Sequence, residues 1–178
     1  MGKCTDAVTN WMIRCHVIHE EDKELYKYAI HSFFLLLSPL ILAGGIGFCV
    51  GSVKHGFAVI LPFIVLRKFS GGYHAKNLHT CILGLGFLLL LCIICSIHVQ
   101  CDWRLAITTA IASVSLIVFS PMDSENRRID RDERRSYKKM TVFCVTVFGV
   151  LDIILFLLGK YIYTSCFSIG ILLTAGLQ

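Results

Sequence analysis

The chain has 178 residues, of which 56% are hydrophobic, and a mean hydropathy of +0.71. Soluble domains are about 45–50% apolar, so this composition excludes an ordinary soluble enzyme and predicts an integral membrane protein in contact with the lipid bilayer. The net charge of +5 does not indicate a nucleic-acid partner, because the basic residues are spread along the chain beside apolar runs. We expect one membrane-embedded domain over residues 1–178.

The N-terminal segment, residues 1–28, is polar. It lacks the continuous apolar stretch of a cleavable signal peptide, so we expect the membrane spans themselves to direct insertion. Its apolar residues recur with the spacing of one helix face: Val8, Trp11, Met12, Cys15 and Ile18. Two interpretations stay open, an amphipathic helix along the inner membrane surface and a solvated helix that leads into the first span.

Six apolar runs follow this segment, at residues 29–51, 54–66, 79–98, 103–121, 140–158 and 161–177. A straight transmembrane helix needs about 17–25 apolar residues, which every run except the second provides. The second run is short and contains Pro62, which predicts a short, kinked or re-entrant helix. The expected fold class is therefore all-α, a polytopic membrane protein with about six transmembrane helices.

Lysine and arginine predict the orientation of these spans. If the N-terminus is cytoplasmic and six spans alternate, every Lys and Arg except Lys54, Arg104 and Lys160 falls on the cytoplasmic side. Both termini are then cytoplasmic. The segment at residues 122–139 carries dense charge of both signs, which predicts a charged cytoplasmic loop or a solvated helical linker.

The stretch SGGYHAKNLHTC, residues 70–81, carries the candidate chemistry. Gly71 and Gly72 favour a break after the second span, and Asn77 is a suitable N-cap for the third. Cys81 would then lie in the first helical turn, where the backbone amides favour a thiolate. On an unbroken helix His74 would be about 10.5 Å away, at roughly 1.5 Å per residue. A glycine turn could bring its imidazole back to the thiol as general base.

Each of these residues has other interpretations. A histidine at a membrane edge is commonly an interfacial contact, and a cysteine in a span is commonly packing. His79 is a rival base, although it is two residues from Cys81 and faces another side of a helix. A zinc site of His74, His79 and Cys81 would lack a fourth ligand for a structural ion. Asp152, inside the fifth run, is either a functional acid or a partner of Ser or Thr on a neighbouring helix.

Two motifs resemble those of one family. RKFSGGYHAKNLHTC is similar to the signature of the accessory gene regulator B (AgrB) family, the membrane peptidases of Gram-positive quorum sensing. FSPMDSENRRI, from Phe119 to Ile129, is similar to that family's Pro-x-Asp-x-x-Asn motif. The length, the six-span layout and the basic segment after the second motif also agree, so the resemblance covers essentially the whole chain.

The resemblance implies roles for individual residues. The family's catalytic histidine falls on His74 and its nucleophilic cysteine on Cys81. The supporting positions are Arg67, Gly71, Gly72 and Asn77 in the first motif, and Pro121, Asp123 and Asn126 in the second. Where the family often has proline or lysine next, this chain has Arg127 and Arg128, which keep the positive charge. Asp123 either orients His74, as an acid does in a triad, or has a structural role.

The resemblance also implies a substrate, an amphipathic propeptide of the AgrD type. The enzyme removes the propeptide's acidic tail through a Cys thioester, which an internal cysteine or serine converts to a cyclic thiolactone or lactone. We expect no metal and no cofactor. The implied location is the plasma membrane of a Gram-positive bacterium, with the active site cytoplasmic. A homodimer suits so small a peptidase, although no small-xxx-small face predicts one. The alternatives are a small-peptide transporter and a non-catalytic membrane adaptor.

Overall fold

The computed structural model describes residues 2–15, 17–70, 78–122 and 131–178, and over these residues the fold is all-helical, as predicted. The α-helices are α1 (Gly2–Arg14), α2 (Lys23–Cys49), α3 (Val53–Ser70), α4 (Leu78–His98), α5 (Trp103–Phe119), α6 (Arg131–Leu157) and α7 (Tyr161–Gly176). A 3-10 helix, Glu20–Asp22, precedes α2. Helices α2 to α7 coincide in order with the six apolar runs.

Two of the links between helices are tight turns built on glycine. Gly51 after α2 and Gly159 after α6 have φ of 73° and 71°, a region that residues with a Cβ rarely adopt. After α6, the amide of Lys160 donates to the carbonyl of Leu155 at 2.9 Å, and Gly159 donates to Phe156 at 3.0 Å. These two bonds define a Schellman cap, and the turn after α2 has the same pattern. Each cap reverses the chain direction within three residues.

The reversals give the bundle two distinct ends. The end of α3 is bonded to the segment that leaves α5, because the Met122 amide donates to the Ser70 carbonyl at 3.0 Å. The end of α7 reaches the same place, where Arg67 contacts the carbonyl of Leu177. We call this the motif end, since both sequence motifs leave from it. The opposite end, where α4 and α6 finish, is called the far end.

The three basic residues that were predicted to lie on the side of the membrane opposite the cytoplasm are at the far end. Lys54 and Arg104 lie in the first turns of α3 and α5, and Lys160 precedes α7. The starts of these helices are opposite the motif end. The structure therefore separates Lys54, Arg104 and Lys160 from both motifs, as the predicted alternation requires.

Helix α7 is at the centre of the bundle, and its residues 164–171 are buried throughout. Its most extensive contact is with α3. A Cβ on Gly170 would collide with the carbonyl oxygen of Val59 and with the ring of Pro62, so the two backbones approach as closely as glycine allows. The proline that predicted a short or re-entrant second span instead lies buried inside α3. That helix is continuous for 18 residues and runs from the far end to the motif end.

One helix in the described part of the chain, Glu133–Leu157, is long and apolar enough to cross a membrane by length and composition. The other apolar helical segments that meet the hydropathy condition are shorter: Leu37–Cys49, Ile82–His98, Trp103–Phe119 and Tyr161–Gly176. Large apolar side chains point outward from several helices, with Phe48, Leu83 and Leu157 74–78% exposed. Exposed apolar surface of this kind marks contact with lipid or protein. The number of six spans remains a prediction.

The N-terminal segment, residues 1–28, is mostly helical and contains α1, the 3-10 helix and the first six residues of α2. Helix α1 ends at Arg14, so Cys15 and Ile18, which were predicted to share its apolar face, lie beyond it. Trp11 is 63% exposed, whereas Thr9 is buried. A salt bridge of 2.8 Å between Lys27 Nζ and Asp6 Oδ1 joins α1 to the start of α2.

The charged segment at residues 122–139 is helical in its second half. Helix α6 begins at Arg131, nine residues before the apolar run that predicted it. Residues Arg131–Lys139 are therefore helical, as the linker interpretation required. The polar turns continue the apolar helix because Arg, Glu and Lys are good helix formers.

Candidate active site

Three of the residues predicted for the site fall within the described chain: Arg67 at the end of α3, Cys81 at the start of α4, and Pro121 after α5. The remaining ones lie outside the described residues: Gly71, Gly72, His74, Asn77, Asp123, Asn126, Arg127 and Arg128. The structure thus describes the points where both motif segments leave and re-enter the bundle.

These points converge. Ser70 directly precedes the first motif segment, residues 71–77, and Met122 directly precedes the second, residues 123–130. The Met122 amide donates to the Ser70 carbonyl at 3.0 Å, and Ser70 is fully buried. Buried backbone amide and carbonyl groups are almost always hydrogen-bonded. The two segments therefore start side by side, although about fifty residues separate them in sequence.

Cys81 is the fourth residue of α4, which begins at Leu78. Asn77, the predicted N-cap of this helix, lies outside the described residues, so its capping role stays a prediction. Amide groups in the first turn of a helix have no intrahelical acceptor and carry partial positive charge. Because α4 finishes at the far end, Cys81 belongs to the motif end.

Arg67 has a partner that the sequence did not predict. Its Nη1 donates to the backbone carbonyl of Leu177 at 2.7 Å, just beyond the end of α7. The last carbonyls of a helix lack intrahelical donors and carry partial negative charge, which favours a guanidinium there. Arg67 therefore joins the end of α3, four residues before the first motif segment, to the central helix.

Pro121 is fully buried and follows a cis Ser120–Pro121 peptide bond. The residue before it is anchored to α6: Ser120 Oγ lies 3.2 Å from Thr141 Oγ1, and both hydroxyls are buried. One turn earlier on α6, the ring of Tyr137 lies 6.4 Å from the ring of Phe69 on α3. Ser120, Tyr137 and Thr141 were missed by sequence reasoning, because isolated hydroxyl and aromatic residues carry no pattern that marks them.

A basic surface borders the second motif segment. It consists of exposed side chains in the first turns of α6: Arg134, Arg135, Lys138 and Lys139. Lys68 is also exposed and lies over the ring of Phe69, with Nζ 5.8 Å from the ring centroid. Because Phe69 contacts Tyr137, Lys68 is close to this surface. The charges favour an anionic partner at the motif end.

The far end has a different character. A cavity of about 520 Å³ opens there between the starts of α3 and α7 and the α4–α5 link. Its polar lining is His55, Ser96, Gln100, Cys101, Asp102, Tyr161 and Ser165. The pKa of Cys101 is raised by burial, and the carboxylates of Asp152 and Asp102 raise it further. Its thiol is therefore a weaker nucleophile at neutral pH than an unperturbed thiol.

Asp152 is bonded to a neighbouring helix, as one of its two predicted interpretations required. Ser168 Oγ on α7 donates to its Oδ2 at 2.9 Å, and its buried Oδ1 has no hydrogen-bond partner. Across the described ranges, no three His, Cys, Asp or Glu side chains are grouped as a metal site would require. The proposed zinc ligands His74, His79 and Cys81 are not tested by this, since their side chains are not described.

The comparison with known families decides the relationship. The sequence model of accessory gene regulator B matches residues 5–177. The chain belongs to the AgrB family. The match includes both motif segments and all of helices α2 to α7.

Two relatives from Clostridium perfringens are named as AgrB-like proteins. The one from strain SM101 / Type A is 22% identical over 144 residues, which is 75% of this chain and 67% of the relative. The other, from strain 13 / Type A, is 24% identical over 149 residues, which is 76% of this chain and 69% of the relative. No solved structure matches the chain. Family membership implies a membrane-associated role in processing the propeptide of a quorum-sensing system.

Proposed function

We propose that this protein is a membrane cysteine endopeptidase that removes the C-terminal tail of an AgrD-like propeptide. His74 takes the thiol proton of Cys81, and the thiolate attacks the carbonyl of the scissile peptide bond. The imidazolium returns the proton to the leaving amine, so the tail departs and a thioester to Cys81 remains. A cysteine or serine within the propeptide then attacks the thioester. This step restores the Cys81 thiol and closes a thiolactone or lactone.

The observation that supports the proposal best is the hydrogen bond between Ser70 and Met122. It holds together the starts of the two segments that carry His74 and the Pro-x-Asp-x-x-Asn motif. The position of Cys81 in the first turn of α4 adds an environment suited to a thiolate. Asp123 directly follows Met122, which is compatible with orienting His74 or with a structural role in its own segment.

The basic surface is suited to the released tail. Arg135, Lys138 and Lys139 are exposed next to the second motif segment, and Arg127 and Arg128 within that segment add to the charge. An acidic tail would be attracted to it, which brings the scissile bond to the motif end. In this proposal the motif end faces the cytoplasm of a Gram-positive bacterium, six helices span its plasma membrane, and the protein acts as a monomer or homodimer.

The test is mass spectrometry of the propeptide encoded beside this gene, co-expressed with the wild-type protein, with Cys81→Ala and with Cys81→Ser. We expect tail release with the wild type alone, because neither substituted side chain provides a thiolate. Cys101→Ser is the matched control, since it removes a thiol from the opposite end of α4. It should release the tail as the wild type does. Tail release by Cys81→Ala would exclude the proposed nucleophile.

A small-peptide transporter is the second candidate, and the cavity at the far end favours it. A transporter would keep its activity in Cys81→Ser and leave the propeptide mass unchanged. A non-catalytic adaptor would also leave the mass unchanged, in every variant. The same experiment therefore separates the peptidase from both alternatives.

A further inference from the structure

The segment that leaves α5 is anchored from two sides just before it enters the second motif. On one side the Met122 amide donates to Ser70 at the end of α3, at 3.0 Å. On the other, Ser120 Oγ meets Thr141 Oγ1 on α6 at 3.2 Å. Ser70, Ser120 and Thr141 are buried, and Pro121 between the two anchors is fully buried. Three helices thus fix a stretch of three residues.

The direction of the hydroxyl bond follows from its neighbours. Thr141 Oγ1 donates to the backbone carbonyl of Tyr137 at 3.0 Å. A threonine hydroxyl has one proton and two lone pairs, so with that proton committed Thr141 accepts from Ser120. Replacing Thr141 by an apolar residue would leave the Ser120 donor buried without this partner. Thr141 therefore accepts the hydrogen bond of Ser120 and also fills space in the core.

We propose that Ser120 and Thr141 are positioning residues of the active site, which hold residues 120–122, where the Pro-x-Asp-x-x-Asn motif starts, in place against the end of α3. This role rests on the proposed function, because it matters only if the segments after Ser70 and Met122 together form the site. Without the Ser120–Thr141 bond, residues 120–122 can shift relative to Ser70. The second motif segment then starts from a shifted position, and a small displacement of catalytic groups slows the reaction strongly.

The chain offers a matched control on the same helix. Thr146 Oγ1 donates to the carbonyl of Val142 at 2.8 Å, which is the same intrahelical bond that Thr141 makes. The difference is that Thr146 is exposed, whereas Thr141 is buried and accepts the hydrogen bond of Ser120 from another segment. Thr141→Val and Thr146→Val therefore make the same change in side-chain chemistry, and only the first removes the acceptor of Ser120.

The experiment measures tail release by the full-length protein in membranes or detergent, with saturating and limiting propeptide. We expect Thr141→Val to lower kcat about tenfold, because a displaced catalytic segment slows the reaction, with KM changed less than twofold. Thr146→Val should match the wild type, and Thr141→Ser, which keeps the hydroxyl, should recover most of the rate. Ser120→Ala should slow the reaction to a similar extent.

A double-mutant cycle provides the decisive readout. Because Ser120 and Thr141 act through one bond, the double variant Ser120→Ala/Thr141→Val should be no slower than the slower single variant. If Thr141→Val fails to accumulate in the membrane, Ser120→Ala alone still tests the role, since it leaves α6 unchanged. Wild-type kcat in Ser120→Ala, or independent additive effects in the cycle, would overturn the proposal. Failure of the proposed function is distinct, since wild type would then release no tail.

Discussion

The motif end and the far end of the bundle are formed by the same helices but are held together differently. At the motif end, short hydrogen bonds connect helix ends directly, as between Arg67 and Leu177 at 2.7 Å and between Ser70 and Met122 at 3.0 Å. At the far end, Ser165 lies 3.5 Å from the carbonyl of Val99, and a cavity separates the helices. Among these described contacts, the hydrogen bonds at the motif end are thus the shorter ones.

Helix α4 places one cysteine in each environment. Cys81 lies in the first turn of α4, where the helix dipole stabilises negative charge, and Cys101 lies three residues beyond the last residue of that helix. Burial and nearby carboxylates raise the pKa of Cys101. The difference teaches that a thiol is made reactive by its place on the fold. Nine cysteines in this chain do not make nine candidate nucleophiles.

The largest expected effect distinguishes two histidines. His74→Ala should lower the rate of tail release by about 10²–10⁴-fold, the usual contribution of a general acid–base group. His55, which lines the cavity at the far end, should be replaceable by Ala with less than a twofold change. Rates from a time course of tail release would check both variants. Equal losses in the two would mean that the ends do not differ in function.

The next effect tests the scaffold that both ends share. Gly170→Ala introduces a Cβ against the Val59 carbonyl and Pro62, and overpacking of this kind costs about 1–3 kcal/mol of unfolding free energy. Gly149→Ala on α6 is the control, because in the described part of the chain nothing beyond the adjacent backbone of its own helix lies within 4 Å of the new Cβ. Thermal unfolding in detergent should show a lower Tm for the first and an equal or higher Tm for the second. An unchanged Tm in Gly170→Ala would show that α3 and α7 are not so closely packed.

A smaller effect separates stability from activity. Ser168→Ala removes the hydrogen-bond donor to Asp152 Oδ2, and because Oδ1 already lacks a partner the carboxyl would lose its described bond. We expect a loss of about 1 kcal/mol in unfolding free energy with kcat unchanged. Denaturation and tail-release assays on the same preparation would measure both. A large fall in kcat without a loss of stability would give Asp152 a part in the reaction.

The smallest effect concerns the pH dependence of Cys101. Since its folded pKa is raised above the ordinary thiol value of 9.0, its thiolate fraction at neutral pH is below that of a free thiol. Alkylation by iodoacetamide, followed on the Cys101 peptide, should be slower than for N-acetylcysteine and should rise at higher pH. Asp152→Asn should shift the curve toward lower pH, because it removes a negative charge. A half-maximal rate at or below the pH found for N-acetylcysteine would contradict this account.

Local sequence patterns predicted most of the helices. The run at residues 79–98 corresponds to α4 within one residue, because a long apolar stretch between polar links has few alternatives. The predictions were wrong where one helix contains both polar and apolar turns, or a proline. Arg131–Lys139 is polar yet continues into α6, and Pro62 interrupts an apolar run without ending α3. Tertiary packing against α7 overrides the local effect of that proline.

The contacts that assemble the site were harder to predict. Arg67 was identified from its motif, but its bond to Leu177 joins residues 110 positions apart and leaves no trace in the spacing. A bond to a serine or threonine was one of two interpretations of Asp152, and only the fold shows that the partner is Ser168. Nothing in the sequence predicted the pairing of Ser120 with Thr141, since hydroxyl residues are common on both exposed and buried faces. The roles of His74 and Cys81 stay predictions from the motif.

The most direct test of the central claim is to trap the thioester. A propeptide whose internal nucleophile is replaced by alanine cannot cyclise, so the acyl group should remain on the enzyme until water removes it. Intact-mass and peptide mass spectrometry should then find the propeptide without its tail attached to Cys81, with Cys101 unmodified. Tail release with no adduct on Cys81, or an adduct on another cysteine, would contradict the assignment of the motif end as a cysteine-peptidase site.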